Sequence, residues 1–410
     1  MPLYCGIDWA TDHHDVAVVD DDGRVVARGR VGNNAAGFAQ LLTLLADAGD
    51  TATHPIPVAI ETDRGLWVAA LRETGRAIYP INPLAASRYR PRYALSGAKS
   101  DATDAVLLAN IVRTDADAHR PLPADTELAQ VIRVLARAQQ DAVWARQQIG
   151  NQIRDLLKDF YPAALVAFDQ LSNGGLARAD ARAILAAAPT PEAAARLTPA
   201  RLRRLLAKAG RQRRLDRDIE RLCAIFTDTY LHQPPQVENA MGIQLSALLR
   251  QFDAACAAAD ELAEAAIAHF ERHPDAEIIT SFPGLGNLAG ARVLAEIGDD
   301  RTRFADARGL KAFAGSAPIT RASGKKTVVL HRHIKNRRLA VAGAIWALGS
   351  LRASPGARRH FDARRAAGDW NRQAQRHLFN KFLGQLHHCL QTGHLYDEHR
   401  AFPPPLPLAS

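Results

Sequence analysis

Four acidic residues stand at the ends of predicted elements and limit how the first part of the chain can fold. Asp8 and Glu61 each close a short apolar run, as expected for the last residue of a buried strand. Asp101 and Asp104 lie three residues apart at the start of a helical stretch. Carboxylates at strand ends that face a helical pair suit two hard divalent cations, which take oxygen ligands. Without cations these groups would repel one another, so the pattern favours a metal site.

A structural role for the same residues is the alternative. Asp101 would then cap a helix whose first turn contains Asp104. Asp8 and Glu61 would be polar residues at strand ends. Asp63 is the main competitor as a ligand, because it shares a face with Glu61 if that strand continues. Glu61 is the better candidate, since it ends the apolar run.

The order of predicted elements before residue 120 is strand, hairpin, helix, strand, helix, strand, helix. It is the order of a ribonuclease-H-like domain, in which the first and fourth strands carry acidic ends. The predicted bounds are a strand at 4–8, a hairpin at 15–32, a helix at 35–48, a strand at 58–61, a helix at 66–73, a strand at 77–81 and a helix from 100 to about 113.

Composition narrows the function classes. The 410 residues, 47% of them hydrophobic, can bury a large core divided among several domains. A net charge of +9, with Arg far outnumbering Lys, favours a polyanionic partner, and nucleic acid is the first candidate. The four cysteines form no C-x-x-C pair, which argues against a zinc knuckle or a disulfide framework and fits a reducing cytoplasm. No apolar run reaches the roughly 18 residues of a membrane span, so we expect a cytoplasmic protein without a membrane partner.

The chain is predicted to be α/β plus α, in four segments. Apolar residues at helical spacing from 127 to 161 predict one long amphipathic helix, and further helices are predicted at 176–230 and 237–273. Such an arm would set the distance between other parts of the protein, or its oligomeric state. The segments are a RuvC-like domain at 1–120, a helical arm at 121–272, a second catalytic domain containing a helix-hairpin-helix at 273–352, and a basic helical extension with a Pro-rich tail at 353–410.

A second group of candidate residues lies in the last third of the chain. Residues 281–298 have the form of a helix-hairpin-helix, whose turn would offer backbone N–H groups at Gly284 and Gly286 to a phosphate. A plain turn between helices is the alternative. Ser323 lies on a Gly-containing loop among cationic residues, where a hydroxyl can be activated toward a phosphate, although a simple turn residue would fit as well. The basic side chains predicted to contact nucleic acid are Arg321, Lys325, Lys326, Arg332, Lys335, Arg337 and Arg338.

Together these motifs resemble the DEDD transposases of insertion sequence family 110, the bridge-RNA-guided recombinases. The resemblance covers most of the chain. Its motifs are Gly6-Ile7-Asp8, Ile60-Glu61, Lys99 to Ala105, Pro283 to Gly286, Glu296-Ile297-Gly298, Arg303-Phe304, Ala314-Gly315 and Ser323-Gly324 before a basic helix. Two features depart from the family pattern. The arm is long, and Lys335-Asn336 replaces the usual Gly-Asn.

The resemblance implies roles for particular residues. Asp8, Glu61, Asp101 and Asp104 would be RuvC-like ligands of two Mg²⁺ or Mn²⁺ ions, and Ser323 would be the nucleophile. It also implies a composite site from two subunits, in a homo-oligomer between dimer and tetramer, guided by a structured RNA. The reaction would excise and integrate DNA.

Three other functions fit parts of the pattern. A junction-resolving nuclease would use a metal-bound water in place of Ser323. A non-catalytic nucleic-acid scaffold would need the charge but not the carboxylates. An actin-like sugar kinase shares the strand order but needs phosphate loops in a second copy of the fold, which the sequence lacks.

Overall fold

The computed structural model describes residues 1–92, 101–168, 174–324, 326–330 and 332–403, with the backbone alone at 101 and 326. The chain divides into two compact units, Met1–Ala124 and Asp125–Ser410. Within the described ranges, no helix is long and apolar enough to cross a membrane.

A five-stranded sheet with the order β3-β2-β1-β4-β5 organises the first unit. Strand β1 pairs antiparallel with β2 and parallel with β4. The strands are β1 (Leu3–Trp9), β2 (His13–Asp20), β3 (Val25–Gly32), β4 (Val58–Ile60) and β5 (Ile78–Pro80). The helices are α1 (Ala35–Ala48), α2 (Leu66–Glu73), α3 (Pro83–Tyr89) and α4 (Asp101–Asp115), with 3₁₀ turns at Arg90–Arg92 and Ala116–Ala118.

Helices cover the two faces of this sheet. On one face, the side chains of Cys5, Ile7 and Ile60 pack in a core with residues of α1 and α2. On the other face, Ala59 packs in a separate cluster with residues of α4. Side chains alternate along a strand, so odd-numbered residues of β1 face α1 and α2, and even-numbered residues face α4.

Among the residues that the structure describes in the second unit, helices predominate and one hairpin is present, β6 (Ile319–Ser323) and β7 (Lys326–Leu330). A 3₁₀ turn spans Gly175–Ala177. The helices are α5 (Glu127–Phe160), α6 (Pro162–Phe168), α7 (Ala179–Ala187), α8 (Pro191–Ala195), α9 (Pro199–Lys208), α10 (Leu215–Thr227), α11 (Pro235–Phe270), α12 (Ala276–Thr280), α13 (Asn287–Ile297), α14 (Ala307–Ala314), α15 (Arg337–Ala353), α16 (Pro355–Ala366), α17 (Asn371–Thr392) and α18 (Glu398–Ala401).

The long helices α5 and α11 pack against each other and contribute to two separate cores. Ile132 of α5 and Phe270 of α11 belong to a core that surrounds the buried Trp346. Ile153 of α5 and Phe252 of α11 belong to a second core, shared with α6 to α10. The apolar stripe of α5 is therefore covered within the same chain. A second subunit is not needed to bury this stripe.

Most predicted elements agree with the structure to within a few residues. Helices α1 and α2 have the predicted bounds. The hairpin β6–β7 was predicted as a loop in a helical domain, which was wrong. Strand β4 ends at Ile60, so Asp63 does not continue it. The predicted tail beyond 403 and the start of the predicted helix at 100 lie outside the described residues.

Candidate functional site

Asp8 and Glu61 lie side by side at the ends of neighbouring parallel strands. The last register pair of β1 and β4 is Ile7 with Ile60, and an acid follows each: Asp8 is still within β1, and Glu61 is the first residue after β4. Glu61 is two residues beyond Ala59, and Asp8 is two beyond Gly6. By the alternation of side chains, the Asp8 carboxylate belongs to the sheet face that α4 covers, and Glu61 follows β4 directly beside it.

Gly6 is the point where α4 comes closest to β1. A Cβ atom built on Gly6 would lie 2.5 Å from the amide nitrogen of Ala109 and closer still to the carbonyl oxygen of Ala105. Only glycine leaves room for this approach, because any side chain would overlap the helix backbone. The close approach brings the first turns of α4 against the strand that carries Asp8.

The direction of α4 places its acidic start at the same end of the sheet. At the other end of the helix, Arg113 donates a hydrogen bond to the carbonyl oxygen of Asp21, at 2.9 Å. Asp21 follows Asp20, which pairs with Leu3 at the beginning of β1. The helix therefore runs against the direction of β1. Asp104, in its first turn, lies toward the end of β1 that carries Asp8.

Asp104 is held by an arginine that the sequence analysis missed. Nη2 of Arg90 lies 2.9 Å from each carboxylate oxygen of Asp104, and Asp104 is only 7% exposed. A guanidinium thus supplies positive charge at a carboxylate that was predicted to bind a cation. Fourteen residues separate the pair, so no periodic pattern marks it, although Arg90 lies in the basic run Arg88 to Arg92.

Asp15 is a further acid beside Asp8, directly opposite it on β2. Its carboxylate accepts hydrogen bonds from Nε and Nη2 of Arg30, at 3.1 and 3.0 Å. This bidentate ion pair neutralises Asp15 without a metal. Asp63 is exposed and lies beyond the end of β4.

The donor chemistry of this end of the sheet fits a hard divalent cation. Asp8, Glu61 and Asp104 are carboxylates, the ligands that Mg²⁺ prefers, and the guanidinium at Asp104 shows that the position attracts positive charge. In the part of the chain that the structure describes, no three His, Cys, Asp or Glu side chains are close enough to hold a metal ion. The side chain of Asp101 lies outside that part, so the four-carboxylate site stays a prediction.

Ser323 is the last residue of β6, next to the tip of the hairpin. It pairs with Lys326 across the turn, and Gly324 adopts the left-handed conformation, φ 55°, that the turn requires. Ser323 and Arg321 are both exposed and, two residues apart on one strand, share a face. Lys325 and the side chain of Lys326 lie outside the described residues. A serine beside an arginine at an exposed tip is accessible to a phosphate.

The predicted phosphate-binding turn packs against α15. A Cβ on Gly284, whose φ is 83°, would meet the backbone of Gly349 at 2.8 Å and that of Ser350 closer still. Nε1 of Trp346 donates to the carbonyl oxygen of Pro283, at 3.1 Å. Gly284 is therefore required by packing. Gly286, at the start of α13, has nothing within 4 Å of its Cβ position.

The basic residues before and within α15 differ in their surroundings. Arg338 binds both carboxylate oxygens of Asp141, at 2.8 and 3.0 Å, and stacks over the Trp144 ring. Nε of Arg332 donates to a backbone carbonyl, at 3.4 Å. Lys335 and Arg337 line a cleft of about 610 Å³ together with residues of α15 and α17. Arg337 is exposed, whereas Arg338 is already neutralised within its unit.

Comparison with known proteins shows which family the chain belongs to. Residues 5–162 match a family described as DEDD transposase of IS110, and residues 276–362 match the transposase IS116/IS110/IS902 family. A Streptomyces coelicolor protein named "Mini-circle putative transposase for IS117" is 60% identical over 410 residues, covering all of this chain and 99% of that protein. The chain belongs to the IS110 family of DEDD transposases. The family resemblance seen in the sequence is confirmed.

Other relatives of this IS110-family transposase are more distant. The IS900 uncharacterized 42 kDa protein of Mycobacterium paratuberculosis is 29% identical over 97% of each chain. The IS116 uncharacterized 44.8 kDa protein of Streptomyces clavuligerus is 30% identical over 82% of each. Membership makes the chain a transposase, which cleaves and rejoins DNA. Its mixed α/β first unit, with a small sheet, is consistent with the ribonuclease-H-like domain of that family.

One motif that carried the resemblance, Glu296, and one position that departs from it, Lys335-Asn336, are joined in the scaffold of the transposase. Glu296, 2% exposed, accepts hydrogen bonds from Nε and Nη2 of Arg137, at 2.7 and 2.8 Å, and from Nδ2 of Asn336, at 2.6 Å. Asn336 also caps α15 through the Leu339 amide. The Asn336 cap is present although Lys335 stands before it, where the family pattern has glycine.

Proposed function

We propose that this transposase cuts and rejoins DNA at the carboxylate site formed by Asp8, Glu61, Asp101 and Asp104, with Ser323 as the nucleophile. The observation that carries the proposal is the position of Asp8 and Glu61. They follow the last paired residues of two parallel strands, on the face where α4 packs with its acidic first turn. Acids from two strands and one helix at one end of a sheet are suited to phosphodiester chemistry.

The carboxylates would hold two Mg²⁺ or Mn²⁺ ions, which would neutralise charge on the scissile phosphate when bound. Asp8 lies on the central strand of the sheet, so it would be the central residue of the set that holds the ions. Glu61 and the two α4 residues complete the ligand set. Arg90 would have to release Asp104 for that carboxylate to reach a cation with both oxygens.

Ser323 would carry the covalent step, a transesterification. Its Oγ forms a bond to phosphorus as a backbone P–O bond of the DNA breaks. The hydroxyl proton leaves Ser323, and the departing DNA oxygen takes up a proton. Arg321 and the neighbouring Lys325 and Lys326 would neutralise the transition state. The reverse step, attack by the hydroxyl of another strand, joins new partners without ATP, because the phosphoserine conserves the bond energy.

The partners of the reaction follow from the same proposal. The DNA ends and target would lie against Gly284, Gly286 and the basic residues around α15. A structured guide RNA would select the target, and the active form would be a homo-oligomer between dimer and tetramer. These parts rest on the family resemblance and on the positive charge of the chain.

Replacement of the central carboxylate tests the metal site. Asp8→Asn should abolish cleavage of an element-end substrate and weaken Mn²⁺ binding measured by calorimetry, while DNA affinity stays within a few fold of wild type. Asp63→Asn is the matched control, because Asp63 is exposed and lies beyond β4. Strand transfer at the wild-type rate by Asp8→Asn would refute the carboxylate site.

Trapping of the covalent intermediate tests the nucleophile. On a nicked suicide substrate, digestion and mass spectrometry should find DNA attached to Ser323. Ser281 and Ser316 are internal controls, since their hydroxyls donate to Ile278 and Asn380 within the unit. If Ser323→Ala still forms recombinants at the wild-type rate, the serine mechanism is wrong. Cleavage without any protein–DNA adduct would support a nuclease that uses water.

A further inference from the structure

The far end of the helical arm contains a cleft lined almost entirely by arginine. Its volume is about 620 Å³. It lies where the start of α7, the connection from α9 to α10 and the first two turns of α10 meet. Its lining residues are Arg178, Arg211, Arg213, Arg214, Arg217, Asp218 and Arg221. Clefts of this volume commonly bind ligands, but their walls are usually apolar, so the charge of this one needs its own explanation.

Two carboxylates neutralise only part of the cleft. Asp180, which is buried, binds Arg178, and Asp218 binds Arg211. Arg221 donates to the carbonyl oxygen of Ala167, at 3.3 and 3.4 Å, which leaves its charge uncompensated. Six guanidiniums therefore face two carboxylates. Arginine does not lose its proton at physiological pH, so this charge excess cannot be relieved by titration.

Three exposed arginines at the mouth of the cleft have no carboxylate partner in the described part of the chain. They are Arg213, Arg214 and Arg217. Arg217 and Arg221 are four residues apart in α10, so they lie on one face of that helix, where like charges repel, and Arg214 directly precedes its first residue. An arrangement that is unfavourable in the free protein is explained by a ligand that brings negative charge.

Arg214 is also held in a conformation that its side chain disfavours. It precedes α10 with φ 56° and ψ 29°, and it is the only described non-glycine residue with a positive φ. Glycine takes this conformation without the steric cost that a Cβ atom adds. A strained arginine where glycine would fit better indicates that the guanidinium is needed at this position.

We propose that this arginine cleft binds backbone phosphates of a nucleic acid strand, as a second contact region separate from the residues around α15. Planar guanidiniums match phosphate oxygens in pairs, and several of them side by side suit a ligand with several phosphates in a row. RNA and DNA share this backbone. The inference rests on the proposed function only in taking nucleic acid as the polyanion.

Salt-dependent binding of the full-length protein tests the cleft. Fluorescence anisotropy in EDTA would use three labelled probes, a single-stranded RNA, an RNA hairpin and a DNA duplex, so no cleavage enters the measurement. Loss of three phosphate contacts should flatten the plot of log affinity against log salt by about 2 to 3. The variant Arg213→Gln, Arg214→Gln, Arg217→Gln should show this loss, and at least tenfold weaker binding, with one or more probes.

A matched triple variant controls for the loss of charge. Arg201→Gln, Arg204→Gln, Arg250→Gln removes three exposed arginines of the same unit that do not line the cleft. Its affinities should stay within threefold of wild type. Loss with RNA probes alone identifies RNA as the source of the phosphates, and loss with the duplex alone identifies DNA. Unchanged slopes with all three probes, or equal losses in the control, would overturn the proposal.

Arg214→Gly separates binding from folding. Glycine relieves the backbone strain, so the melting temperature should rise while the salt plot flattens by about 1 or less. Weaker binding by a more stable protein cannot come from misfolding. If the variant binds all three probes as wild type does, Arg214 makes no phosphate contact and the cleft is not the site. Because these affinities are measured in EDTA and without cleavage, a failure of the carboxylate site would not change their outcome.

Discussion

Gly6→Ala should damage both the stability and the activity of the first unit, because it acts where α4 meets β1. The new methyl group would lie 2.5 Å from the Ala109 nitrogen, whereas such atoms normally stay about 3.5 Å apart. Because the methyl group would lie closer still to the Ala105 oxygen, helix α4 must move outward by at least about 1 Å. Backbone atoms cannot rotate away as a side chain can, so we expect the upper part of the usual overpacking range, about 3 kcal/mol.

The same displacement should reach the carboxylate site. Asp104 is one residue from Ala105, which the methyl group meets first, so it moves with the helix. A misplacement of about 1 Å in a reacting group can cost about 100-fold in rate. Calorimetry of the full chain should show the first unit melting about 10 °C lower, and recombination of a plasmid substrate should fall by about 100-fold.

Gly29→Ala is the matched control in the same sheet. Its methyl group would meet only Cδ1 of Leu44, at 2.8 Å, and the end of a leucine side chain can move aside. We expect a change of less than about 1 kcal/mol, since alanine also suits a strand better than glycine. If Gly6→Ala melts within 2 °C of wild type, or if Gly29→Ala is equally harmful, the contact between α4 and β1 does not position the site.

Three further predictions follow from single contacts. Arg90→Gln should enlarge the rise in melting temperature that Mg²⁺ produces, because the cation no longer competes with a guanidinium for Asp104; an equal rise would contradict this. Burial raises the pKa of the Cys5 thiol from its usual 9.0 to about 12, so iodoacetamide at pH 8 should modify the half-buried Cys223 before Cys5. Because the folded thiol keeps its proton longer than the unfolded one, its contribution to stability falls as the pH rises past 9 toward 12, and early labelling of Cys5 would refute its burial. Glu296→Gln should lower the free energy of unfolding in urea by about 3 kcal/mol, since Arg137 loses its charge partner, whereas the exposed Glu264→Gln should change it by less than about 0.5 kcal/mol.

The sequence predicted the strands that precede Asp8 and Glu61 because local signals mark them. The apolar run before Asp8 is buried at Cys5, Gly6 and Ile7, and the burial pattern of β4, which precedes Glu61, shows no exposed residue. A capping asparagine and a left-handed Gly49 delimit α1, which explains its correct bounds. These features depend on residues that are close together in the sequence. The hydrophobic and polar pattern of the sequence predicts such features directly.

The features that the sequence did not predict depend on distant residues or on weak burial. Arg90 contacts Asp104 only once the chain has folded. No regular sequence spacing therefore predicts the contact. Strand β6 has Ile319 half-buried and its other residues exposed, so it lacks the alternation that predicts a strand. The partner of α5 is α11, more than 70 residues later along the chain, and a stripe on α5 cannot show which helix covers it.

The sharing of α5 and α11 by two cores restricts how the arm can change length. Each residue added to a helix turns everything beyond it by about 100° and moves it by about 1.5 Å. An insertion in one helix alone would put the stripes of the pair out of register. Arm length in related chains should therefore change in whole turns, by equal numbers of residues in both helices. A pair of matched seven-residue deletions would shorten the arm by about 10 Å and turn its far end by only about 20°.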